Sequence, residues 1–137
     1  MPVIELDMLI AFVNPLDRLH SLADELFKRV SSGKVKVAVA TSALLEYELL
    51  LRSRSYSQED IRADIEAFRN LLVEVPLDAG IIIRASELRD EYGLTYFDSL
   101  HAASAIAKDG VIISSDRAYE KVDGLKAIKP DEFLPPG

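Results

Sequence analysis

The stretch Thr95–Asp116, TYFDSLHAASAIAKDGVIISSD, decides the fold. Thr95 and Asp98 stand at the spacing of a capping box, which starts a helix by satisfying its free N–H groups. That helix is expected to run from Thr95 to Lys108, with Asp109-Gly110 ending it. Val111-Ile112-Ile113 then reads as a short buried strand, and Ser114-Ser115 carry the chain to Asp116. A helix that feeds a parallel strand runs antiparallel to it, so its N-terminus returns to the strand's carboxyl end. Asp98 and Asp116 are therefore expected at the same edge.

Working outward, the same alternation recurs. Val3-Ile4-Glu5-Leu6 is a short apolar run suited to a buried strand that ends at Asp7. Leu19, Leu22, Ala23, Leu26, Phe27 and Val30 recur at helical intervals across 17–32, and Ser31-Ser32-Gly33 stops them. Val35, Val37 and Val39 alternate as a second strand, after which Thr41-Ser42 offers an N-cap for a helix to about Leu51. Ser57 opens a helix to about Leu72, and Val73–Pro76 is a third strand. Asp78 caps a helix through Tyr92 that Gly93 ends. A short helix over Asp116–Lys121, a fifth strand over Leu125–Ile128 and a capping tail over Pro130–Gly137 complete the reading. Short strands alternating with helices imply an α/β fold: a central parallel sheet of four to five strands with helices on both faces, as one domain over 1–137.

In open sheets of this kind, sites form beyond the carboxyl ends of the strands. Asp7 and Asp116 follow strands directly. Glu46, in the first turns after the second strand, reaches back to the same edge, and Asp98 arrives there through its helix. Each acid also has a structural reading. Asp98 fits a capping box, Asp116 a helix start, and Glu46 a solvated helix position. An acid ending a buried strand is costly unless paired or liganded, so Asp7 is the hardest to explain structurally. Converging carboxylates repel one another unless a hard divalent cation joins them. His101, beside alanines, reads as a packed or surface helix residue rather than an acid–base group.

The composition limits the alternatives. Without cysteine there are no disulfides, thiolate nucleophiles or thiolate zinc sites, which fits a reducing cytoplasm. Two histidines are too few for a histidine-based cluster, so oxygen is expected to hold any metal. No run approaches the ~18 apolar residues of a membrane span, and the N-terminus lacks a basic leader region. A net charge of −7 argues against nucleic-acid binding until four site carboxylates and their cations are set aside, which leaves the remainder nearly balanced. Arg52, Arg54 and Tyr56 read either as RNA contacts or as a solvated loop. The apolar Tyr47, Leu50 and Leu51 suggest a partner surface, in part explained by burial.

These segments resemble the PIN-domain family, and within it the VapC-type toxin ribonucleases. The resemblance rests on Ile4-Glu5-Leu6-Asp7, Thr41–Glu46, Tyr96–Ala103 and Ile112–Asp116, spread over the whole chain. It implies a metal-dependent endoribonuclease using Mg²⁺ or Mn²⁺, dimeric, and neutralised by a small antitoxin. It maps Asp7, Glu46, Asp98 and Asp116 onto the family's acidic quartet, with Ser114 at a hydroxyl position that orients the last acid and water. Met8 departs from the small hydroxyl residue frequent after the first acid. A PIN-like binding module without catalysis is the alternative.

Overall fold

The computed structural model describes residues 1–134, so the last three positions of the expected tail lie outside the described residues. Five strands form one parallel sheet: β1 (Val3–Ile4), β2 (Ala38–Ala40), β3 (Val73–Val75), β4 (Val111–Ile113) and β5 (Lys126–Ile128), in the order β3-β2-β1-β4-β5. Between them run α1 (Leu6–Val13), α2 (His20–Ser31), α3 (Thr41–Ser53), α4 (Gln58–Leu71), α5 (Ala79–Tyr92) and α6 (Tyr96–Lys108). A 3-10 turn at Arg117–Tyr119 and the short α7 (Pro130–Phe133) follow. No helix among the described residues is long and apolar enough to cross a membrane.

Side chains alternate across a strand, and here the alternation splits the core in two. Ile4, Val39 and Ile113 face one side, where they pack with Met8, Leu26, Phe27, Tyr47, Ile61 and Phe68 from α1 to α4. Val3, Ala38, Ala40 and Ile112 face the other, against Ile81, Ala85 and Leu88 of α5, Leu100 and Ala103 of α6, and Tyr119. Both faces of the three inner strands are covered, which is why β1, β2 and β4 are apolar throughout, whereas the edge strands β3 and β5 carry the exposed Glu74 and Lys126. The small Ala38 and Ala40 meet the alanine-rich α6, so that helix lies close to the sheet.

Three of the caps that the sequence supplies start their helices as expected. Ser57 Oγ accepts from Asp60 N at 3.1 Å, Asp78 Oδ1 from Ile81 N at 2.9 Å, and Thr95 Oγ1 from Asp98 N at 3.4 Å. Gly93 closes α5 in the left-handed conformation (φ 68°). Several boundaries differ. The first strand stops at Ile4, and α1 begins at Leu6, so Asp7 lies in the first turn of a helix rather than at a strand end. Leu6, Leu9, Ile10 and Val13 carry the helical period, but the surrounding run is apolar on every side and masks it. Val35 and Val37 precede β2 instead of forming it. Thr41 and Ser42 do not cap α3. Thr41 Oγ1 donates to Glu74 Oε2 at 2.6 Å, and Ser42 turns inward. The helix expected over Asp116–Lys121 is only the 3-10 turn. Tyr47 and Leu51 belong to the core, leaving Leu45 and Leu49 as the exposed apolar residues of α3.

Candidate metal centre

Because β1 is the middle strand, the residue after Ile4 lies at the centre of the sheet's carboxyl edge. That residue is Glu5. Its N–H still reaches Ile113 O at 3.3 Å, continuing the ladder to β4, and its side chain turns into the protein, leaving the residue 7% exposed. Burial pushes its carboxyl up to about 8 from 4.5, and the negative charges of Asp7, Asp98 and Glu46 push the same way; the Leu6 N–H only partly offsets them. Asp7, Glu46 and Asp98 therefore gather around Glu5.

Each of the three is held by donors that fix its direction. Ser115 donates to Asp7 Oδ2 twice, from its N–H at 2.9 Å and its hydroxyl at 2.8 Å. Asp7 Oδ1 is buried and has no hydrogen-bond partner. Glu46 Oε1 lies 2.7 Å from His101 Nε2, and His101 Nδ1 lies 2.8 Å from Ser42 Oγ. The Tyr119 hydroxyl donates to Asp98 Oδ1 at 3.2 Å. Tyr119 is fully buried, and burial followed by the charges of Glu5 and Asp98 holds its phenol far above the ordinary range, so it stays a donor.

Asp116 sits at the rim. It is exposed, and its Oδ1 is occupied in capping the 3-10 turn, accepting from Ala118 N at 2.9 Å. Ser114 links it to the interior. Buried at 2% exposure, its hydroxyl accepts from Asp116 N at 3.0 Å and lies 3.3 Å from Glu5 Oε2 and 3.4 Å from Asp7 Oδ2. A cavity of about 550 Å³ opens beside this edge, lined by Glu5, Asp7, Asp17, Arg18 and Ser115.

Sequence reasoning missed Glu5, and it read His101 as a packed or surface helix residue, of which the structure shows the packed one. Glu5 was legible in principle as the first acid after the apolar pair Val3-Ile4, but reading the run through to Leu6 passed over it. His101 lies one turn after Asp98 on the same face of α6, and burial at 1% exposure removes it from the surface. With it, Glu5 and Glu46 can offer three ligand atoms that all lie within 4.8 Å of one another.

The donor set fits a divalent cation. Part-exposed carboxylates are drawn together around the buried Glu5, which is forced toward its neutral form, and a buried oxygen of Asp7 is left without a partner. A bound cation relieves all three conditions at once. Arg29 and Lys28 take no part, since each pairs with an acid one turn earlier on α2, Glu25 and Asp24. Arg54 and Tyr56 line a separate cavity of about 350 Å³ with Tyr47 and Asp64.

A PIN domain family model matches residues 8–125, a span containing Glu46, Asp98, Ser114 and Asp116 but starting just after Asp7. Comparison with curated proteins gives no sequence match. Among solved structures, the chain is similar to VapBC2 from Rickettsia felis bound to a DNA fragment from their promoter, with a TM-score of 0.71 at 16% identity, covering 93% of this chain and 96% of that one. It is also similar to DNA-bound VapBC from Salmonella typhimurium (TM-score 0.70, 17% identity, 95% and 99% covered). A toxin–antitoxin complex from Klebsiella pneumoniae matches with a TM-score of 0.66 at 16% identity, covering 95% and 98%. At these identities the likeness is one of fold.

Proposed function

The chain belongs to the PIN-domain family, and on that premise we propose that it is a metal-dependent endoribonuclease that hydrolyses RNA phosphodiester bonds. Glu5, Asp7, Glu46 and Asp98 would hold the divalent cation, Mg²⁺ or Mn²⁺, with Asp116 at the rim joined to them by the buried Ser114. The observation that carries this reading is the buried, unpartnered Asp7 Oδ1 beside a carboxyl driven up to about 8 by burial and its acidic neighbours. When bound, the cation supplies a more acidic water and stabilises charge on the phosphate oxygens.

The protein's own groups do the positioning. Ser115 holds one oxygen of Asp7 and leaves the other buried and without a partner. Tyr119 fixes Asp98, and Ser114 joins the rim acid to the interior pair. The open cavity beside Glu5 and Asp7 gives a phosphate chain a way in, and Arg18 on its wall is a cation suited to a backbone phosphate. The choice of RNA is supported by the family resemblance rather than by the acids, since phosphodiester chemistry alone does not select the sugar. The neighbours of like fold are toxin–antitoxin complexes. That supports a toxin role with an antitoxin as partner; the small size of that antitoxin, the homodimer and the cytoplasmic location come from the sequence reading alone.

Asp98→Asn tests the enzyme reading. The amide oxygen can still accept from Tyr119, so the fold should be retained by circular dichroism while Mg²⁺- or Mn²⁺-dependent cleavage of a mixed-sequence RNA falls at least about 100-fold. Undiminished cleavage by the purified variant would falsify the assignment. Parallel single-stranded DNA reports on the sugar.

A further inference from the structure

Glu5, Glu46 and His101 differ from the rest of the edge in that one of the three donors is nitrogen. Resting on the metal reading above, we infer that His101 Nε2 is a direct ligand, with Glu5 and Glu46. The centre then takes a nitrogen-accepting first-row transition ion, of the Mn²⁺, Co²⁺ or Zn²⁺ class, in preference to Mg²⁺.

Spacing is the first argument. Nε2 lies 2.7 Å from Glu46 Oε1 and 3.9 Å from Glu5 Oε1. Adjacent ligands on an octahedral ion with bonds of about 2.1 Å are roughly 3 Å apart, so small movements of the two carboxylates suffice.

The second argument is the far side of the ring. A ligating imidazole nearly always gives its other N–H to a fixed acceptor, and that partner sets which nitrogen is free. Ser42 occupies this place, 2.8 Å from Nδ1 and fully buried. Its hydroxyl can donate to Nδ1 when Nε2 carries the proton and points it at Glu46. It can equally accept from Nδ1–H when Nε2 is bare, so the ring's single proton can move to the far side without leaving a buried group unpaired. Phe97 lies alongside the imidazole, with centroids 6.1 Å apart and planes 27° apart.

The third is economy of chemistry. Hard Mg²⁺ gains nothing from imidazole and sheds water reluctantly, whereas later first-row ions bind it with increasing strength. A fully buried histidine aimed at two carboxylates therefore discriminates among cations that the acids alone would not separate.

Spectroscopy on the full chain loaded with Mn²⁺ alone decides the matter. Electron spin echo envelope modulation should show strong nitrogen coupling that changes from the ¹⁴N to the ¹⁵N pattern when histidine is ¹⁵N-labelled. The coupling should survive His20→Gln, because His20 lies apart at the start of α2 with its Nδ1 on Ala11 O. It should vanish in His101→Gln, with calorimetric affinity for Co²⁺ falling about tenfold or more and that for Mg²⁺ changing less than about threefold. If His101→Gln does not fold, the labelled wild-type spectrum still decides. Bound Mn²⁺ without histidine coupling overturns the inference and leaves the metal reading standing, with His101 serving only as a hydrogen-bond donor to Glu46. Failure of the wild-type chain to bind Mn²⁺ overturns both.

Discussion

Replacing Glu5 with Gln should make the metal-free protein more stable at neutral and alkaline pH. The carboxyl titrates near 4.5 when exposed and is held up to about 8 in the fold, by burial first and by Asp7, Asp98 and Glu46 next. Below pH 4.5, folded and unfolded chains both carry the proton, and Glu5 does not oppose folding. Between 4.5 and about 8 the folded chain retains a proton that the unfolded chain has released, so stability falls as pH rises, and the loss is complete above the folded value. At about 1.4 kcal/mol per pH unit the window has a ceiling of about 5 kcal/mol. Side-chain movement toward the adjacent cavity lowers that ceiling, and about 2–4 kcal/mol is expected. Urea denaturation in chelator, followed by circular dichroism from pH 5 to 8.5 in wild type and Glu5→Gln, isolates the effect, because titrations common to both proteins cancel in the difference. The two curves should diverge steadily above pH 5, with the variant the more stable. Added Mn²⁺ should restore most of the wild-type loss and little in the variant, since the cation binds the ionised carboxylate. Parallel curves for the two proteins between pH 5.5 and 8 would refute the crowding of charge on which the site rests.

Tyr119→Phe removes the hydroxyl that fixes Asp98 while leaving the ring in place, so stability should fall by only about 1 kcal/mol, and cleavage should drop about tenfold in kcat rather than in KM. Phe68→Ala, at the meeting of Phe27 and Tyr47, should cost about 3–5 kcal/mol in denaturant titrations. Gly110→Ala places a Cβ 2.8 Å from the Gly124 carbonyl oxygen at a left-handed φ of 79°; it should destabilise by more than the about 1 kcal/mol of Gly93→Ala, whose left-handed site is open.

The fold was legible wherever the chain announces its turns. Ser57, Asp78, Gly93 and Thr95 are capping residues whose chemistry works locally, and the structure uses each as the sequence suggests. The first thirteen residues were not legible in the same way, because Leu6–Val13 is apolar apart from Asp7 and its helix is buried on several sides. Periodicity cannot separate a buried strand from a buried helix when no polar face remains to mark the difference. That ambiguity carried forward into the site. With the strand extended to Leu6, Asp7 became its terminal acid, and Glu5 disappeared into the run.

His101 was hidden for a different reason. Its partners are Ser42 and Glu46, which are 59 and 55 positions away in sequence and meet it only where α3 packs against α6. Local pattern fixes where a helix begins, but not what its inner face will touch. The strands contribute here by being short: β1 has two residues and its neighbours three, so the helices that follow β1 and β2 begin within a turn of the sheet. Glu5, Asp7 and Glu46 are thereby drawn into a space that longer strands would have spread apart. The compactness that makes the centre fit for a cation is the same feature that makes it costly without one, so a substitution that relaxes the charge at Glu5 should gain stability as it loses affinity for metal.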